Sequence, residues 1–196
     1  NNGNGSGSGH VRIYEWNGNS WTQQGQDING EASYDGSGFS VSMNAAGDRV
    51  AIGATSNDGN GSGSGHVRIF TWGGSTWSQQ GQDIDGEAVS DFSGCSVSMN
   101  AVGDIVAIGA HFNDGNVGTI NDNRGHVRIY SWNGSSWVQL GQDIDGEAAG
   151  DESGTSVSMN ATGDRVAIGA PYNDGNGSWA AVVIHVMLSR IEIAPI

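Results

Sequence analysis

The feature that most constrains this chain is an internal repeat. His10, His66 and His126 open the segments "HVRIYEW", "HVRIFTW" and "HVRIYSW", spaced by 56 and then 60 residues. Met43, Met99 and Met159 keep the same two spacings, as do Asp48, Asp104 and Asp164. A period of this length means one supersecondary unit copied along the chain, each copy burying its apolar face against the next. The four extra residues of the longer interval fall between Phe112 and Gly125, in a polar Gly/Asn stretch where an insertion costs little.

Each unit predicts four short strands. "SVSMN" (40–44) alternates and is followed by the turn "AAGD"; "RVAIGA" (49–54) comes next, then the loop "TSNDGNGSGSG". The third strand is "HVRIF" with Trp72, and a turn leads to Trp77 and a fourth strand, "SQQGQDI". In the other copies that turn is "NGNS" (17–20) or "NGSS" (133–136), and Asn-Gly between apolar runs is a strong hairpin signal. The 34 glycines punctuate apolar runs rather than forming a linker, whereas prolines number only 2. The expected fold class is therefore all-β, a β-propeller of four-stranded antiparallel blades. Units fall at about 1–35, 36–91, 92–151 and a partial 152–178, with residues 179–196 leaving the pattern as a closing strand or a cap. In this last segment His185 and Val186 read as a displaced echo of "HV". The total is about three blade equivalents, fewer than the usual four to eight, so the chain is expected to be part of a longer propeller or to assemble with other chains. The start at Asn1, with neither Met nor a signal-like segment, is read as a processed chain or a fragment.

Here the repeat resembles a known family. "SGTSVSMNATGDRVAIGAPYNDGNGS" (153–178) is similar to the FG-GAP repeat of integrin α-subunit propellers and of many secreted bacterial proteins, on the anchors Gly154, "SVSMN" and Gly169-Ala170-Pro171. Ser37, Ser93 and Ser153 stand in place of the family's Phe, and one copy keeps the Pro after Gly-Ala. The resemblance covers about residues 1–178. It implies a non-enzymatic, extracellular or cell-surface module for adhesion to a protein or glycan, stabilised by calcium.

The acidic linkers are the first candidate site. "GQDIDGEAAGDESG" carries Asp143, Asp145, Glu147 and Asp151; the copies carry Asp83, Asp85, Glu87 and Asp91, and Asp27, Asn29, Glu31 and Asp35. Calcium takes six to eight oxygens, often from carboxylates at alternate positions. Positions 1, 3, 5 and 9 also match the ligand spacing of the FG-GAP calcium loop. That family places its loop between the first two strands of a blade, where this chain has the tight turns "NAAGD", "NAVGD" and "NATGD". The other reading is a solvated connector whose Asp side chains cap turns. Carboxylates this close repel by about 1 kcal/mol per pair at 4 Å even in water, a penalty a cation removes. A second, weaker cation candidate is Asp58, Asn60 and Ser62 in the loop 57–65, which lacks the acidic residue that would complete it.

Trp16/Trp21, Trp72/Trp77 and Trp132/Trp137 flank the hairpin turn in each repeat. They fit either cross-strand packing or sugar-ring platforms, so a multivalent lectin is one alternative function. Another is a structural subunit that self-associates through open blade ends into a ring or filament. The repeated histidines read as hydrogen-bonded strand residues, and Cys95 as a small filler. No nucleophile–base–acid set is apparent, so no catalytic residue is assigned. A net charge of −14, with all 7 basic residues Arg, repels nucleic acid and anionic lipid. No apolar run is long enough to span a membrane as a helix.

Overall fold

The computed structural model describes residues 4–115, 121–175 and, for the backbone alone, 182–187. Among them there are strands and turns and no helix. The best-developed sheet contains β5 (Ser40–Met43), β6 (Arg49–Ala54), β7 (His66–Trp72) and β8 (Trp77–Gln79), paired antiparallel in chain order. The next repeats it with β10 (Ser96–Met99), β11 (Ile105–Ala110), β12 (His126–Trp132) and β13 (Trp137–Gln139). A third contains β15 (Ser156–Met159), β16 (Arg165–Ala170) and β17 (Val182–Met187). Before them, β1 (His10–Val11) pairs with β4 (Ile28–Asn29), and β2 (Tyr14–Trp16) with β3 (Trp21–Gln23). The all-β expectation agrees with this order.

The predicted fourth strand is broken in two. After β8 the chain turns at Gly81 (φ 79°), and a short strand β9 (Ile84–Asp85) returns to pair with the start of β7. The equivalent β14 (Ile144–Asp145) pairs with β12. At Gly81 only glycine fits: its φ is positive, and an added Cβ would lie 2.6 Å from Trp132. The break turns Gln82 outward to the next sheet, where its side-chain amide donates to the Trp137 carbonyl (2.9 Å).

The sheets stack face to face. The central strands are apolar on both faces because a neighbouring sheet covers each: Val106, Ala107 and Ile108 of β11 are all buried. The first strands run alongside one another, with the Met99 amide donating to Ser42 Oγ and the Met159 amide to Ser98 Oγ (both 2.9 Å). Backbone approaches backbone at Gly109, where an added Cβ would sit 2.1 Å from the Gly154 carbonyl oxygen. The turns between first and second strands are tight, as expected. Asn44 Oδ1 accepts from the amides of Asp48 and Arg49, which closes each turn around an Asn side chain.

In register, Val182 of β17 faces Ala170, whereas His66 faces Ala54 and His126 faces Ala110. His185 faces Ala167, the place held by Ile69 and Ile129 in the other sheets. Segment 182–187 thus takes a third-strand position, and its His is displaced by three residues. The rest of the expected cap, 179–181 and 188–196, lies outside the described residues.

Candidate functional site

The acidic linkers divide their carboxylates among three jobs. The last Asp of each caps a turn: Asp35 Oδ2 accepts from the Ala32 amide, Asp91 Oδ2 from Ala88 and Asp151 Oδ2 from Ala148, at 2.8–2.9 Å. The same oxygens take the side-chain amides of Asn57, Asn113 and Asn173 from the following Gly-rich loops. All three Asp are buried, so the linker and the loop are one polar unit. Asp58 Oδ1 accepts from the Gly63 amide and the Asn60 amide donates to the Gly86 carbonyl, which uses the second candidate loop in the same way.

The first two carboxylates of a linker stay with their own sheet. Asp85 lies across from His66 in the ladder, and Asp145 across from His126. Asp83 and Asp143 each give Oδ1 to a glutamine amide, Gln79 or Gln139 (both 2.6 Å), and turn Oδ2 toward the imidazole. The third carboxylate leaves for the next unit, because Gly86 turns back to bond the Gly65 carbonyl. Glu31 therefore meets His66, and Glu87 meets His126.

The result is two equivalent clusters. His126 Nδ1 is 3.8 Å from Glu87 Oε2 and 3.9 Å from Asp143 Oδ2. His66 Nδ1 is 3.9 Å from Glu31, 3.8 Å from Asp83 and 4.0 Å from Asp85. In each, a buried guanidinium backs the glutamate, with Arg68 3.3 Å from Glu31 and Arg128 3.6 Å from Glu87. The two Arg also donate to the Asn29 and Asp85 carbonyls and lie over the rings of Phe70 and Tyr130. Burial pushes the His126 pKa down to about 4, with Arg128 adding to the shift and Asp143 opposing it. It lowers His66 too, so both rings are neutral near pH 7. Burial raises the Glu87 carboxyl above its ordinary range, with nearby Asp143 and Asp91 adding to the shift and Arg128 opposing it. Two solvent-open concavities, of 510 and 230 Å³, meet at Asp143, the smaller also lined by Glu87, Asp91, Asn113 and Asp114.

The other linkers form no such group among the described residues. Asp27 pairs with Arg12 of its own unit, and Asn29 faces His10, for which no earlier linker glutamate is among the described residues. Glu147 accepts from Asn173, and Val182 stands where the histidine would be. The six candidate tryptophans form three tilted ring pairs with centroids 5.3–5.5 Å apart. Trp77 and Trp137 are 4% and 3% exposed. Each is clamped by the preceding unit, as when Trp137 Nε1 donates to the Gln80 carbonyl (2.9 Å). Trp72 and Trp132 are partly buried beside them, whereas Trp16 and Trp21 are open.

Sequence reading passed over His66 and His126, taking them as ordinary hydrogen-bonded strand histidines. Neither nitrogen of His126 has a hydrogen-bond partner among the described residues. The available signal was the pairing of "HV" with "DID" inside one unit, which no linear spacing displays.

No family model matches the chain, and no curated protein matches it. Solved structures do. One, from Bacteroides uniformis, is described as a "putative 6-phosphogluconolactonase"; it shares 8% identity with a TM-score of 0.56, over 91% of this chain and 49% of its own. Another so described, from Bacteroides fragilis, shares 10% with the same TM-score and coverage. The chain thus spans about half the length of these structures, and at such identity the likeness concerns the fold. It overturns the expectation of a non-enzymatic adhesion module, with its lectin and structural-subunit alternatives. That expectation was borrowed from integrin-like propellers, and the proteins that share this fold carry the name of an enzyme of sugar metabolism. Among the described residues no helix is long and apolar enough to cross a membrane.

Proposed function

We propose that this chain is a run of blades from a β-propeller hydrolase that opens a lactone of a sugar acid. The observation that carries this reading is the Glu87–His126–Asp143 cluster: a buried, neutral imidazole between two carboxylates, of which Asp143 stands where two open concavities meet. The names of the fold's solved neighbours favour the substrate class. The FG-GAP-like repeat enters the same proposal as a kinship of blade sequence, not of activity.

Lactone opening asks little of a site. A water oxygen bonds to the carbonyl carbon, the ring C–O bond breaks, and the ring oxygen leaves as a hydroxyl after taking a proton. Asp143 and the neutral His126 polarise the water, and a carboxylate receives its proton. Arg128, whose Nε has no partner among the described residues, supplies positive charge for the oxyanion.

Charge selects within the class. With a net charge of −14, and with Arg68 and Arg128 already engaged by Glu31 and Glu87, an uncharged lactone is preferred over a phosphorylated one. Incubation with glucono-δ-lactone, followed by an acid-release indicator, is expected to show a rate above buffer that falls at least about 100-fold in His126→Gln. A rate equal to buffer, or one untouched by the substitution, would rule the reading out.

A further inference from the structure

We infer that the Glu–His–Asp clusters at the two inter-sheet junctions bind divalent first-row transition metal ions of the zinc type. The inference concerns the site proposed above but stands without its hydrolytic reading.

The surroundings of His126 call for a cation with a nitrogen ligand. The His126 side chain is 1% exposed, yet both ring nitrogens lack a hydrogen-bond partner among the described residues. A buried imidazole normally bonds at least one neighbour, so an orphaned one aimed between two carboxylates needs a third party. At 3.8 and 3.9 Å the carboxylate oxygens are too far to be hydrogen-bonded to Nδ1, but one atom of each residue lies within 4.8 Å of the others. A tetrahedral zinc with ligands at about 2.0–2.1 Å spaces them about 3.4 Å apart, so closing on an ion takes a contraction of about half an ångström along each edge from the imidazole to a carboxylate.

Charge points the same way. Around His66 stand Glu31, Asp83 and Asp85 against Arg68, three negative charges and one positive, leaving two to be neutralised. Around His126 the corresponding groups are Glu87, Asp143 and Asp145 against Arg128. One imidazole with carboxylates suits zinc, iron, nickel or manganese better than calcium, which prefers an all-oxygen shell. The shell around the ligands is built: Gln79 and Gln139 orient the Asp ligands, and Arg68 and Arg128 hold the far oxygen of each Glu. The 230 Å³ concavity bordered by Glu87 and Asp143 gives an ion its way in.

Zinc chloride titrated into the full chain by calorimetry is expected to bind two equivalents, one per cluster. Asp143→Asn should remove one equivalent, Asp83→Asn the other, and the double substitution both. Cobalt(II) in place of zinc should give visible d–d absorption that the double substitution abolishes. Circular dichroism and a cooperative melt check that each variant folds; if Asp143→Asn fails that check, Glu87→Gln reads the same site from the other linker. No uptake, a stoichiometry unmoved by these variants, or calcium binding more tightly than zinc would overturn the inference. Zinc uptake without lactone hydrolysis would sink only the proposed function. Hydrolysis undiminished by chelation, with no zinc uptake, would sink only the metal.

Discussion

The first hairpin and the third are nearly the same sequence, "WNGNSW" and "WNGSSW", and they meet opposite fates. Trp21 is 66% exposed; Trp137, at the same turn position, is 3% exposed. The hairpin itself does not bury its rings. The difference is the preceding unit, whose Gln80 and Gln82 clamp Trp137, while no complete unit precedes the first hairpin among the described residues. The histidines differ for the same reason: His126 sits in a cluster because an earlier linker delivers Glu87, and no such supplier for His10 is among the described residues. In this molecule a residue's role is set by its neighbouring unit as much as by its own.

The comparison breaks most easily at the tryptophans. Trp137→Ala is expected to cost about 3–5 kcal/mol in denaturant unfolding, and Trp21→Ala under about 1 kcal/mol. Equal costs would mean that the hairpin, not the junction, holds the ring. A second pair probes the other end of the stack. Gly109→Ala would drive a Cβ into the Gly154 carbonyl, whereas at the homologous Gly169 the nearest atoms all belong to the flexible Ser156 side chain and its own strand. The expected losses are about 2–3 and about 1 kcal/mol respectively, read from urea midpoints.

The smallest effect is a pH dependence in chelated buffer. Between pH 6.5 and about 4 the unfolded chain protonates His126 and the folded chain does not, so the unfolded state binds more protons and stability falls as pH falls. Asp143 faces the ring and Arg128 opposes its charging, while the raised Glu87 carboxyl contributes a slope of opposite sign. His126→Gln should therefore flatten the fall, and Glu87→Gln should steepen it. A melting temperature that tracks pH identically in all three proteins would refute this account.

The repeat, the four strands per unit and the tight "NATGD"-type turns were legible because they follow from local period and turn chemistry. The broken fourth strand was not. Gly81 reads as one more glycine until Trp132 is placed against it. The site was half legible: the linker spacing marks Asp143 and Asp83 as candidates, but it suggests that one linker's carboxylates act together. Alternation puts Asp83 and Asp85 on the same side, and the turn at Gly86 then sends Glu87 to the next sheet. No linear pattern reveals that partition, since it depends on which unit lies next door.

Because each cluster is made by two successive units, it belongs to a junction rather than to a unit, as gaps belong between fence posts. An open row of n units holds n − 1 junctions, while a ring of n holds n. A complete blade placed ahead of the first, with its own linker glutamate, would give His10 the partner it lacks among the described residues. Joining the two ends with matched residues would create a cluster with no added blade at all. A junction yields a cluster only where a linker glutamate meets a strand histidine, which is why the step from Glu147 to the Val182 strand holds none.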